Sequence, residues 1–315
     1  MRDGEILTIS DAQAGLTLAA LVREILPGTP WSKARDLCRD GRVRVDGTAA
    51  TDAARRMIAG EQVELRLAGP ARRDSATDLI AHLDAEVVVV RKPAGLLTVP
   101  FERDDRDTLL ALARVAVRRA EAARGRQGNL TLRAVQRLDK ETSGLVVFAR
   151  SVPAQRHLQG QLAARTVTRR YLALVHGRAE DAVYETLLVP DRGDGLRGSW
   201  GVFRPARGEP PAEAREAITR VRVRERLPQA TLVACELETG RQHQIRIHLA
   251  EAGHPLVGET VYIRDWRGPR LPASRPMLHA AVLGFLHPRT GKPLRFEEPP
   301  PADFTAVLER LRGSQ

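Results

Sequence analysis

Residues 135–150 read VQRLDKETSGLVVFAR, and this stretch decides how the rest of the chain is interpreted. Its second half, Gly144 to Ala149, is apolar and rich in valine, which is typical of a strand buried on both faces. Its first half is polar and places Asp139 in a turn before that strand, two residues after Arg137. A neighbouring cation stabilises an ionised carboxylate. Asp139 is therefore either a functional carboxylate at the mouth of a sheet or an ordinary turn residue that caps backbone amides.

Other apolar runs surround this segment and predict further strands. Val87–Val90 forms a continuous valine run, as expected for a strand covered on both faces. Similar candidates occur at residues 171–175, 219–224, 231–237 and 278–285. Long amphipathic patterns are scarce between them. The pattern predicts a strand-rich mixed domain with few long helices, extending over residues 79–315.

A smaller α/β unit is predicted over residues 14–68. An amphipathic helix runs from Leu16 to Leu26, and Ser32 is the predicted N-cap of a second helix. Alternating residues at 42–45 and 61–67 predict two strands, and Asp46-Gly47 is a hairpin turn signal. Residues 69–78, GPARRDSATD, are polar and without periodicity, so they are the predicted linker between the two units.

The charge balance indicates an anionic partner. The chain holds 50 Lys and Arg residues against 39 Asp and Glu residues, a formal net charge of +11. Because neutralising phosphates releases counterions, such a surplus favours binding to nucleic acid. In the first unit, basic residues are spaced along one helical face and its exit, at Lys33, Arg35, Arg39, Arg42 and Arg44. These residues, like the arginine-rich stretch 114–137, are either RNA-facing or simply a solvated surface.

Several classes of protein do not fit the sequence. No apolar stretch approaches the roughly 20 residues that span a bilayer, and the N-terminus does not resemble a signal peptide. Two cysteines, Cys38 and Cys235, are too few for a disulfide framework, which favours a reducing cytoplasm. His243, His248 and His254 match no common zinc spacing, so no metal site is predicted.

Segment 135–150 resembles the RLDxxTSG signature of the RluA family of pseudouridine synthases. Four other segments resemble motifs of the same family in the same order, and together the five matches extend over about residues 87–300. They are Arg91–Leu96, Arg170–Gly177, Thr239–Leu249 with Gly253–Gly258, and Leu278–Ala280 with His287-Pro288. The first unit resembles the small RNA-binding fold of the S-four type, which often precedes catalytic domains of this family.

The resemblance implies an α+β fold, in which a small N-terminal RNA-binding domain precedes a mixed, mainly antiparallel sheet flanked by helices and loops. It implies an isomerase that moves uracil from its N1 to its C5 attachment on ribose, without a cofactor. Asp139 would attack the ribose or remove its 2′ proton, and Arg246 would pair with Asp139. Tyr171 would pack on the uracil, and Arg137 would fill the space left by the flipped base. We expect a monomer that acts on RNA, with ribosomal RNA favoured.

Three departures from the family pattern accompany these matches, of which one is Arg170 in place of a common lysine. Gln136 stands where a histidine is usual and cannot carry a proton, and Glu259 replaces a usual aspartate. Three alternatives stay open from the sequence: a transfer-RNA pseudouridine synthase, a non-catalytic RNA-binding ribosome-assembly factor, and a carboxylate hydrolase with Glu141 as its second acid.

Overall fold

The computed structural model describes residues 5–39, 41–50, 52–65, 79–102, 105, 107–125, 131–201 and 208–313. The first unit contains two helices and a four-stranded antiparallel sheet with strand order β1-β4-β2-β3. Its elements are β1 (Ile6–Thr8), α1 (Leu18–Ile25), α2 (Trp31–Arg39), β2 (Val43–Val45), β3 (Thr48–Ala49) and β4 (Gln62–Leu65). The helices and the sheet enclose a core of their own, whose buried members all lie between Ile9 and Leu65.

Local sequence signals explain most of this unit. Thr17 caps α1, because its hydroxyl accepts a hydrogen bond from the Ala20 backbone N–H at 3.2 Å. The predicted hairpin turn is confirmed, with positive φ angles of 48° at Asp46 and 76° at Gly47. The prediction that Ser32 is an N-cap is wrong. The second helix already begins at Trp31, and Ser32 lies within its first turn.

The boundaries of this unit differ in part from the predicted range. Strand β1 precedes residue 14 and pairs with β4 in the same sheet, with Leu7 opposite Val63. The short alternating segment around Ile6 gave too weak a pattern to be identified as a strand. The predicted linker, residues 69–78, lies outside the described residues.

The second unit is built on one large mixed sheet. Its strands follow the order β11-β10-β12-β13-β9-β14-β8-β6-β5, with β15 paired to β14 and β7 paired to β8. The strands are β5 (Ile80–Leu83), β6 (Val87–Lys92), β7 (Arg133–Ala134), β8 (Ser143–Ala149), β9 (Thr168–His176), β10 (Ala182–Val189), β11 (Gly198–Ser199), β12 (Arg215–Arg226), β13 (Ala230–Leu237), β14 (Leu278–Leu286) and β15 (Pro293–Glu297). The described pairs are antiparallel apart from β14 and β8.

Four helices accompany this sheet: α3 (Leu109–Ala123), α4 (Val152–Ala163), α5 (Gln244–Glu251) and α6 (Ala302–Gly313). Three of them have 12 residues or more and the longest has 15, so long helices are few beside the eleven strands, as predicted. Alanine and arginine residues interrupt the apolar face of α3, so the helical period of this segment is not evident from the sequence. The valine strand Val87–Val90 is confirmed and wholly buried. Within the described ranges, no helix has the length and apolar composition that crossing a bilayer requires.

Gly144 fixes the approach of two central strands beside the polar turn that precedes β8. It pairs with Ala280 where β8 runs parallel to β14, and its φ is 116°. A Cβ atom at this position would lie 2.3 Å from the Ala280 carbonyl oxygen. The glycine in Thr142-Ser143-Gly144 is therefore required by a close backbone contact that holds the turn against the sheet.

Candidate active site

A cleft of about 840 Å³ opens where the turn before β8, strand β9 and the start of α5 meet. Positive charge dominates its lining among the described residues. The basic side chains are Arg137, Lys140, Arg165, Arg169, Arg241 and Arg246, and the carboxylates are Asp139 and Glu238. The volume suits a ligand of nucleotide size, and the surplus of cations suits a phosphate-bearing substrate.

Buried hydrogen bonds position the turn that carries Asp139. Lys92 is 2% exposed, and its ammonium group donates to the carbonyls of Lys140 and Thr142, both at 2.7 Å. Burial lowers the pKa of Lys92 from 10.5 to about 7, despite the nearby Glu141. The backbone N–H of Leu138, the residue before Asp139, donates to the Thr98 hydroxyl at 3.1 Å. The Asp139 side chain itself retains a quarter of its exposure and faces the cleft.

Arg246 connects two carboxylates in this cleft. Its Nε and Nη2 each donate to Glu259 at 2.8 Å, and its Nη1 lies 3.9 Å from Asp139 Oδ2. The Glu259 carboxylate also accepts backbone N–H bonds from Thr260 and Val261, and its side chain is fully buried. Burial acts to raise the pKa of Glu259, but the hydrogen bonds and charge of Arg246 outweigh it and hold the pKa below its usual value. The strong bidentate pair is thus Arg246–Glu259, and Asp139 is the looser partner.

His243 lies beside Asp139 in a left-handed backbone conformation, with φ of 59°, immediately before α5. Its Nε2 is 4.0 Å from Asp139 Oδ1, and its Nδ1 is 2.8 Å from the Tyr262 hydroxyl. Burial lowers the pKa of His243, although the charge of Asp139 opposes this effect. The helix α5 begins at Gln244, and residues 239–243 form the turn that carries His243.

The other two predicted catalytic residues also line the cleft. Tyr171 lies in β9 and is 7% exposed. Burial raises the pKa of its phenol to about 12, so the hydroxyl stays protonated near neutral pH. Arg137 is exposed at the same cleft, next to Gln136. The structure thus brings together Asp139, Arg137, Tyr171 and Arg246, the four residues that the sequence predicts to be catalytic.

The five predicted RNA-binding residues are spread over α2 and the strand after it. Lys33 and Arg35 are exposed on α2, and the Arg39 side chain is outside the described part of the chain. Arg42 and Arg44 are half-buried. The Arg44 guanidinium donates to the Gly47 carbonyl at 2.9 Å and lies 3.7 Å from Glu64, so part of its capacity is already used. In the first unit, the freely presented cations are therefore on α2.

Sequence reasoning overlooked the roles of three residues at the cleft. Lys92 belongs to a recognised motif, but its burial beneath the turn was not foreseen. Glu259 was noted as a departure from a family pattern and not as the main partner of Arg246. His243 was considered only as a metal ligand. In the described ranges, no group of three or more His, Cys, Asp or Glu residues could hold a metal ion.

Comparisons with known proteins agree with this arrangement. Residues 86–251 match the sequence model of the family described as RNA pseudouridylate synthase. A ribosomal large subunit pseudouridine synthase D from Nitrosomonas europaea is 36% identical, with 98% of this chain and 88% of that protein covered. An uncharacterized RNA pseudouridine synthase from Bacillus subtilis is 36% identical over 90% of each chain. A synthase D from Vibrio parahaemolyticus is 32% identical over 97% of this chain and 94% of the relative.

Solved structures show the same fold. Human RNA Pseudouridylate Synthase Domain Containing 4 superposes with a TM-score of 0.60 at 23% identity, covering 76% of this chain and 95% of that one. Human RNA Pseudouridylate Synthase Domain Containing 1 gives a TM-score of 0.51 at 22% identity, over 75% and 94% of the two chains. The family match and the near-full-length relatives place this chain in the RNA pseudouridylate synthase family, as an isomerase that converts uridine to pseudouridine in RNA.

Proposed function

We propose that this enzyme modifies uridines of large-subunit ribosomal RNA, with Asp139 as the group that acts on the ribose. The carrying observation is the similarity over nearly the whole chain to relatives named ribosomal large subunit pseudouridine synthase D. The lining of the cleft supports an RNA substrate, since it contains six cationic side chains and two carboxylates. Transfer RNA is the alternative substrate, and the mapping experiment below distinguishes the two.

The reaction requires a uridine that has left the RNA stack, because its reacting atoms are inaccessible in a helix. Asp139 retains enough exposure to reach the ribose and is held by the pinned backbone of its turn. It attacks C1′ or removes the 2′ proton, and the Arg246 guanidinium lies 3.9 Å from its carboxylate. Tyr171 packs on the uracil ring, with a hydroxyl that remains protonated and able to donate. The exposed Arg137 occupies the space vacated in the RNA.

The first unit is proposed to be an RNA-binding domain, which holds long RNA while the cleft acts on one nucleotide. Lys33 and Arg35 provide exposed charge on α2 for phosphate contacts. We further propose a monomer that works in the cytoplasm. The two cysteines, Cys38 and Cys235, are buried and free, which suits a reducing compartment. Sedimentation of the purified protein with and without RNA tests the monomer.

The decisive experiment is pseudouridine mapping of total RNA by carbodiimide chemistry and sequencing, in cells with and without the gene. Loss of one or a few signals from large-subunit ribosomal RNA is the expected result, and loss from transfer RNA would instead identify that substrate. Complementation with Asp139→Asn should leave the signals absent while RNA affinity is retained. If Asp139→Asn restored the signals, the assignment of Asp139 would be wrong.

Deletion of residues 1–68 tests the role of the first unit. The truncated protein should bind long ribosomal transcripts more weakly, because it lacks the cations of α2. Its activity on a short RNA that carries the target uridine should fall less than its activity on the full transcript. Lys33→Ala combined with Arg35→Ala is the milder variant and should reduce the salt dependence of binding. Unchanged affinity of both variants would contradict an RNA-binding role for this unit.

A further inference from the structure

Arg169 is a buried cation at the cleft to which the sequence assigns no role. It is 8% exposed and lies two residues before Tyr171 on β9, so the two side chains share one face of the strand. Its Nη2 donates to the carbonyls of Leu237 and Glu238, at 3.2 and 2.9 Å. Its Nε is buried without a hydrogen-bond partner. A buried polar atom left unsatisfied is uncommon in folded proteins and calls for an explanation.

No carboxylate among the described residues neutralises this guanidinium. Glu238 is adjacent in space through its carbonyl, but its carboxylate faces Arg220 at 2.6 Å and Arg165 at 3.8 Å. Burial lowers the pKa of Arg169, the neighbouring Tyr171 opposes this shift, and the cation of Arg241 adds to it. An arginine stays protonated under these conditions. The positive charge is thus buried with two carbonyl hydrogen bonds but without a carboxylate partner, which is costly unless a ligand supplies the negative charge.

Gly240 provides the space for this side chain. A Cβ atom at residue 240 would lie 2.6 Å from Arg169 Nη1. Both residues line the cleft together with Asp139 and Tyr171. Arg137 and Lys140 are exposed at the cleft. Arg169 is instead buried on the same strand face as Tyr171, the residue proposed above to pack on the uracil.

We propose that Arg169 is a catalytic residue that holds the uracil while it is detached from the ribose. The inference rests on the site proposed above. The C1′–N1 bond breaks with its electron pair left on the base, whether Asp139 bonds to C1′ or accepts the 2′ proton. Both routes produce a uracil anion, whose C5 then bonds to C1′ as Asp139 leaves C1′ on the first route or returns the proton to C2′ on the second. The C5 proton is then lost and N1 is protonated. A fixed guanidinium stabilises this anion more than the neutral uridine, which is the condition for accelerating the step.

The test compares single-turnover rates on two transcripts of large-subunit ribosomal RNA, one normal and one with every uridine replaced by 5-fluorouridine. Fluorine withdraws electrons and makes the detached base intrinsically more stable, so it needs the guanidinium less. 5-Fluorouridine has no C5 proton to lose, so its C1′–C5 product keeps the fluorine and adds water across N1=C6. Nucleoside mass spectrometry after digestion therefore measures pseudouridine from the normal transcript and this hydrated fluorinated C-nucleoside from the other. Arg169→Met should slow the normal transcript by about 10²–10³-fold, as for the loss of one anion-stabilising donor. The slowing should be several-fold smaller on the fluorinated transcript, and Arg169→Lys should fall between wild type and Arg169→Met.

Controls separate this role from a structural one. Arg220→Met removes an exposed cation from β12, which is separated from β9 by β13, and this residue does not line the cleft, so the variant should keep the wild-type rate. Arg169→Met should keep the melting temperature and RNA affinity of wild type. Equal slowing on both transcripts, or a loss of RNA affinity that accounts for the rate, would overturn the proposal in favour of a structural or phosphate contact. Wild-type turnover in the same assay shows that the Asp139 site is active in either case.

Discussion

Replacing Glu259 with glutamine should strongly destabilise the second unit. The Glu259 side chain is fully buried, and its carboxylate accepts two bonds from Arg246 at 2.8 Å. The amide of glutamine supplies one acceptor oxygen, and its NH₂ group then opposes the guanidinium N–H donors. Arg246 would keep its charge in a buried site with Asp139, at 3.9 Å, as its remaining acidic neighbour. Removing one partner of a buried pair typically costs about 3–5 kcal/mol.

The exposed pair Arg295–Glu297 gives a matched control. Its distances are similar, 3.0 and 2.8 Å, although both Arg295 nitrogens donate to the same oxygen, and two thirds of the Glu297 side chain is exposed. Glu297→Gln should therefore change the free energy of unfolding by no more than about 1 kcal/mol. Urea unfolding followed by tryptophan fluorescence measures both variants. A Trp31→Phe background removes the tryptophan of the first unit, so that the signal reports the second unit.

The same pair predicts a pH dependence. The pKa of folded Glu259 lies below its usual value, so its contribution is present at neutral pH and is lost as pH falls through the folded pKa. The difference in unfolding free energy between wild type and Glu259→Gln should shrink on acidification. If Glu259→Gln lost no more stability at pH 7 than Glu297→Gln, the buried pair would not be the stabilising element inferred here.

Three further predictions concern the sheet and the cleft. Gly144→Ala should lower the free energy of unfolding in urea by about 2–6 kcal/mol, because the new Cβ would lie 2.3 Å from the Ala280 oxygen and the φ angle is unfavourable for alanine. The control Gly160→Ala lies in open space on α4 and should be neutral or slightly stabilising. Equal losses in the two variants would contradict the argument from the close contact. The difference in unfolding free energy between wild type and Lys92→Met should grow in favour of wild type as pH rises from 7 to 10.5, because Lys92 is still protonated in the unfolded chain but deprotonated in the folded one. A difference that does not change with pH would show that Lys92 titrates normally. Tyr171→Phe should keep RNA affinity and lower kcat by at least about 10²-fold, and a rate near wild type would limit Tyr171 to packing.

The residues that could be predicted from sequence are those whose environment is local. The hairpin turn at Asp46-Gly47 and the strand Val87–Val90 depend on neighbouring residues, and both are confirmed. The position of Lys92 depends on carbonyls 48 and 50 residues away, and no pattern within a window of the chain reports such a contact. The left-handed turn at His243 is similar, since a positive φ is uncommon at any residue other than glycine and the sequence around His243 does not indicate it. The resemblance to family motifs identifies these segments, but the contacts between them are established only when the chain folds.

The division of Arg246 between two acids has a chemical consequence. Glu259 takes the two short bonds of the guanidinium and is locked by backbone N–H groups, whereas Asp139 is 3.9 Å from the remaining nitrogen. A carboxylate held in a bidentate pair would have to break strong bonds before it could act on a ribose. Asp139 instead experiences the positive charge without being immobilised by it. We infer that Glu259 fixes Arg246 in place, so that Asp139 is attracted to the cation and still free to react.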